Sequence, residues 1–291
     1  MSKAALTIAC LALFAAAGSQ ASHAETPTRG VDPVRWASFE YVNLWTSAPP
    51  LRFPLITTGD AAGGGRLGAP GTRVLLGDGP LSMGSFPAGR YTLGGWIDDE
   101  ENFGGEVSLL YTGVRAAHFQ AASNSAGDPL LAIPFSDVTS GTPQESSLVI
   151  SQPGVRHGNI TVDDANAFFS AEIDGLVELS DLLPGDAYRT TLVAGARMLS
   201  FKERFQLDSV STDLSGLTSA TNDIFMDKDS FFGGDFGLRT SRRFKRFTVE
   251  LTGKAAIGIT NQSQYITSQN GLSYLLSASR AAHFFGISGP R

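Results

Sequence analysis

Ten charged side chains in this chain sit where chemistry could be done: Glu40, Arg90, Glu106, Glu172, Asp174, Arg197, Asp235, Arg239, Glu250 and Lys254. Nearly all are flanked in sequence by apolar or small residues. Successive strand side chains point to opposite sides, so such a charge belongs to a strand with one polar and one apolar face. Gathered on an enclosed inner face, the ten would line a water-filled lumen and bias which ions or small solutes pass. Alternatively they pair with one another and fill a barrel too narrow to conduct, since a clearly open channel needs about 16 strands. Both readings require mixed charge inside, and both stand at this point.

Other chemistries find little to work with. Beyond the first 24 residues the histidines are His118, His157 and His283, with no motif joining any of them to a nucleophile and an acid, so no catalytic residue and no enzyme is expected. Cys10 is the sole cysteine and lies in an apolar leader. The mature chain then has no disulfide, thiol nucleophile or cysteine metal site. Asp98, Asp99, Glu100 and Glu101 do not have the spacing of a calcium loop and read as a solvated hairpin tip. Gly63-Gly64-Gly65-Arg66 lacks the Lys-Ser/Thr ending of a phosphate loop. No metal and no cofactor is expected.

The elements that must position the ten charges are long strands. From residue 246 to 260, Phe247, Val249, Leu251, Gly253, Ala255, Ile257 and Ile259 alternate with Thr248, Glu250, Thr252, Lys254, Ala256, Gly258 and Thr260. Residues 247–259 reach roughly 40 Å, which at a tilt near 40° spans about 30 Å, the thickness of a bilayer core. A strand crosses lipid only in a closed barrel, where its backbone groups are paired. Phe247, Val249, Leu251, Ile257 and Ile259 are therefore expected to face lipid. Similar stretches occur at residues 36–46, 89–97, 103–112, 167–179, 188–205 and about 231–239. The connections alternate long and short, as external loops and periplasmic turns do in outer-membrane barrels. The long ones, 47–88, 113–165 and 206–228, read as irregular loops, the first with one short ordered hairpin around residues 73–76.

The formal charge of −6 argues against a nucleic-acid partner. Residues 1–24 read as a cleaved secretory signal, with Lys3 at its start and Ser22-His23-Ala24 at its end, leaving residues 25–291 as the barrel. Seven strands is an odd number, whereas bacterial single-chain barrels are even. The tail, about residues 270–291, ends at Gly289-Pro290-Arg291 without a terminal aromatic strand. The expectation is a truncated or frame-shifted chain whose closing strands are missing or altered. The alternative is an eighth, shorter strand from residues 273–287.

Several segments resemble one family. They are Leu44-Trp45-Thr46, Pro49-Pro50-Leu51, Leu55-Ile56-Thr57-Thr58-Gly59, Leu67-Gly68-Ala69-Pro70-Gly71-Thr72, Val74-Leu75, Gly77-Asp78-Gly79-Pro80-Leu81 and residues 89–96. Gly195-Ala196-Arg197 and residues 231–237 add weaker similarity. Together they resemble the beta-barrel porin type 7 family of bacterial outer-membrane proteins, over about residues 36–260. The resemblance implies a pore in the outer membrane and assigns no substrate or catalytic residue. The combined expectation is an all-β, antiparallel, up-and-down transmembrane barrel of about 7–8 long strands. Its function is passive passage of ions or small solutes, or else surface contact through its long loops. Its partners would be outer-membrane lipid and, during insertion, the barrel-assembly machinery.

Overall fold

The structure, a computed structural model, describes residues 34–45, 50–51, 53–77, 79–80, 85–179, 188–244 and 248–274. The leader and the tail beyond residue 274 lie outside these, as does Phe247. In chain order the strands are β1 (Arg35–Trp45), β2 (Pro50–Leu51), β3 (Ile56–Thr58), β4 (Arg73–Leu76), β5 (Gly79–Pro80), β6 (Ser85–Trp96) and β7 (Phe103–Thr112). They continue as β8 (Arg115–Ala122), β9 (Leu131–Asp137), β10 (Gln144–Ser151), β11 (Arg156–Glu178), β12 (Arg189–Asp213), β13 (Leu217–Arg243) and β14 (Thr248–Tyr274). Among the described residues no helix is long and apolar enough to cross a membrane, which has no bearing on crossing by strands.

Seven strands form one antiparallel wall in the order β1-β6-β7-β11-β12-β13-β14, with β8 paired to the upper part of β11. Among the described residues β1 and β14 are its two edges. The seven stretches read from alternation are its strands, but the last four are far longer than expected. β11 to β14 have 23, 25, 27 and 27 residues, so β14 runs about 90 Å.

Residues 206–228 were expected to be a loop. Instead they complete β12 and begin β13, leaving a tight turn at residues 214–216. Asp213 shapes it: its Oδ1 accepts from the Ser215 and Leu217 amides at 2.8 and 3.0 Å, and Gly216 takes φ 82°. The segment shows no hydrophobic alternation because Ser and Thr side chains join its strands, as in the 2.6 Å Ser209–Thr221 and 3.0 Å Thr212–Thr218 hydrogen bonds.

The other two long connections are also ordered. β10, β9, β3 and β4 form a small antiparallel sheet, in that order. It lies across β11 and β12, where Ile56, Leu131 and Ile150 meet Ile160, Val162 and Leu207. Ser211 ties the sheets by donating to the Ile150 carbonyl at 2.7 Å. The Ser147 and Thr57 hydroxyls donate to the Gly64 and Gly65 carbonyls, both at 2.6 Å, and so fix residues 59–72 onto the small sheet. The small sheet and residues 59–72 thus make a second layer, while β8 and residues 156–165 join the wall; apart from residues 73–76 this layer was missed because its strands are short and only partly alternating.

At the opposite end, the acidic tip is a turn. Asp98 accepts from the Asn102 and Phe103 amides at 2.9 and 2.7 Å, and Glu101 pairs with Arg189 at 2.7 Å. Slight desolvation opposes ionisation of Asp98, but these backbone donors outweigh it and hold its carboxyl below the ordinary range.

Candidate functional site

Directly opposed residues in the wall share a face, so the register sorts every side chain. Glu172 lies opposite Arg197 on β12 and Ser108 on β7, and Asp174 lies opposite Glu106 and Gly195. Gly195 in turn opposes Asp235, Gly237 opposes Lys254, and Glu40 opposes Arg90. All ten charges named above therefore stand on one face.

They are also joined. Glu40 and Arg90 pair at 3.2 Å near the β1 edge. Arg239 forms a bidentate pair with Glu106, at 2.5 and 3.0 Å, and lies 3.6 Å from Glu250. Arg197 contacts Glu172 at 3.0 Å and Asp235 at 3.3 Å. Lys254 bonds Glu172 at 2.9 Å, bonds Asp174, and lies 3.6 Å from Asp235. The Asp174 and Asp235 side chains are 0 % exposed. Burial of that kind is tolerated only when charges are paired.

The pairs report the wall's curvature. Lys254 on β14 reaches Asp174 on β11, three strand spacings away, which is about 14 Å on a flat sheet. Two upright side chains do not bridge that distance, so the wall curves toward its polar face. Glycine makes room for the crossing. A Cβ on Gly195 would lie 2.5 Å from Asp174 Oδ1 and 2.0 Å from the Ile173 carbonyl oxygen.

Glu172, Asp174 and Asp235 can each present a carboxylate oxygen within 4.8 Å of the others, a spacing suited to a metal ion. The Lys254 ammonium bonds two of them and adjoins the third, so a cation from the chain itself already serves this group.

The opposite face is apolar. Val249, Leu251, Ile257 and Ile259 stand on it, with Leu251 61 % and Ile257 69 % exposed. Phe103, Val107, Leu109, Tyr111, Ile173, Met198, Phe232 and Phe236 extend the belt across the wall. On β14 it runs from Val249 to Ile259, about 25 Å tall at ordinary tilt. Aromatic residues mark its borders: Tyr41 and Tyr111 toward the long-connection end, Phe103 and Tyr188 toward the short turns. Beyond Ile259 the same face of β14 carries Asn261, Ser263, Thr267 and Gln269, with Tyr265 among them.

One grouping escaped the sequence reading. The small sheet packs on Ile160, Val162 and Leu207, which share the face of Glu172 and Arg197, so it covers the polar face above the charge network. The interrupted run of Ile150, Ile160 and Val162 was the available signal, within a stretch read as a loop.

A family model described as Putative beta barrel porin-7 matches residues 36–281. No curated protein and no solved structure matches the chain.

Proposed function

The chain belongs to the beta barrel porin-7 family, and from that premise we propose that it is a porin-like passive pore for ions or small solutes in a bacterial outer membrane. In this reading the polar face lines the lumen and the apolar belt meets lipid. The observation that carries it is the two-faced wall, with ten charges toward one side and an exposed apolar band of bilayer height on the other. The leader of residues 1–24 would direct export, and the barrel-assembly machinery would insert residues 25–291. In a spanning barrel every strand edge is paired, so the reading includes a seal between β1 and β14.

A second reading has its own support. All ten charges are drawn into ion pairs, and a small sheet lies over the same face, which favours a closed barrel that acts through its ordered outer layer.

Planar-bilayer recording separates the two. A pore gives discrete conductance steps, and Arg197→Gln and Glu250→Gln shift its reversal potential in a salt gradient in opposite directions, toward cations and toward anions respectively. Folded protein that gives no steps removes the pore and leaves the closed barrel.

A further inference from the structure

Asp164 on β11 is 3 % exposed, and its Oδ1 has no hydrogen-bond partner. It follows Val162 on the polar face and stands opposite Phe205, at the margin of the apolar contact between wall and small sheet. A buried carboxylate without a donor is unfavourable unless something else balances it.

Three further acids cross the same face beside it. Glu203 on β12 is one step down from Phe205, Asp227 on β13 opposes Glu203, and Asp229 follows Asp227. Among the described residues no salt bridge includes any of the four, in contrast to the network below. Gln262 gives Asp227 one hydrogen bond at 3.2 Å. Lys202, Arg204 and Lys228 lie on these strands but point to the other face. Arg115 on β8 stands opposite Asn166, at the end of the row. Burial and then the charge of Glu203 push Asp164 up to about 6, and burial followed by Asp227 and Asp229 raises Glu203. The row is short of positive charge.

We propose that Asp164 and Glu203, with Asp227 and Asp229 adding negative charge behind Glu203, form a station for a hydrated divalent cation on the polar face, between the charge network and the small sheet. Oxygen-only donors suit hard cations. Unlike Glu172, Asp174 and Asp235, these four do not converge on one point, so the ion is held partly through its own water. Affinity then falls in the range of weak, solvent-open sites, around 10⁻⁴–10⁻³ M. The station's position on a solute path rests on the pore reading, whereas binding itself does not.

The test is a titration of full-length protein, folded in detergent micelles, with Mn²⁺ followed by the electron paramagnetic resonance signal of the free ion. Expected is saturable binding, displaced by Ca²⁺, weakened at least tenfold in Asp164→Asn and in Glu203→Gln, and unchanged in Lys202→Gln. Heat-modifiable gel migration of each variant reports that it has folded. Binding that does not saturate, or that is equal in wild type and Asp164→Asn, overturns the station. Mn²⁺ binding without conductance keeps the station and removes the pore, and conductance without saturable binding does the reverse.

Discussion

Lys254 touches three carboxylates at once, two of them fully buried, so its removal has a large expected effect. In Lys254→Met the buried Asp235 keeps Arg197 and the buried Asp174 keeps only the more distant charge of Arg239, and stability falls by about 3–5 kcal/mol, measured by urea unfolding in micelles. Adding Asp174→Asn should return part of that loss, and a double variant no better than the single one would show that the pair is not coupled. Asp164→Asn should act in the opposite direction. A carboxyl held near 6 in the fold favours its neutral form, so the wild type loses stability as pH rises from about 4 to 6, and the penalty is full above that. With divalent cations chelated, the variant should be more stable than wild type by about 1–3 kcal/mol at pH 7 and equal to it below pH 4. The ten network charges were legible because each interrupts an apolar alternation. Asp164 and Glu203 were not, because the apolar residues change face there: Val162 and Phe168 flank Asp164 on its own face, and Phe201, Phe205 and Leu207 share the face of Glu203, so the alternation reverses within each strand.

The strands divide into two zones along their length, and this decided what could be read from sequence. Where one face carries the apolar belt, period-two alternation is sharp, and the seven stretches emerged with the boundaries of β7 correct to the residue. Above the belt, β12 and β13 hold together through backbone pairing, the Phe205–Phe225 ring contact and, over residues 209–221, hydroxyl bonds, and in that last part hydrophobicity has no period to show. The small sheet is the other unread element. Its core is an ordinary side-chain contact, and Leu131→Ala should cost about 2–5 kcal/mol there. That loss should appear as faster proteolysis near residues 138–143, with heat-modifiable migration of the wall retained. Simultaneous loss of both would mean that the wall depends on its outer layer.

For the molecule as a whole, the height of the belt is a checkable quantity. A fluorophore on a cysteine introduced at Ile257 should be quenched by brominated lipid, and one at Thr267, on the same face of β14, should not. Equal quenching would place the lipid boundary elsewhere. The turn at residues 214–216 stands roughly 50 Å along the strands from the upper rim of the belt, so an epitope inserted there should be reached by antibody on intact cells if that end faces outward. The two edges carry one more consequence. Six antiparallel steps separate β1 from β14, so both climb in the same sense. Any seam sewn antiparallel to each must use an odd number of additional crossings, and the final one descends, bringing the end of such a chain back to the bank from which β1 set out.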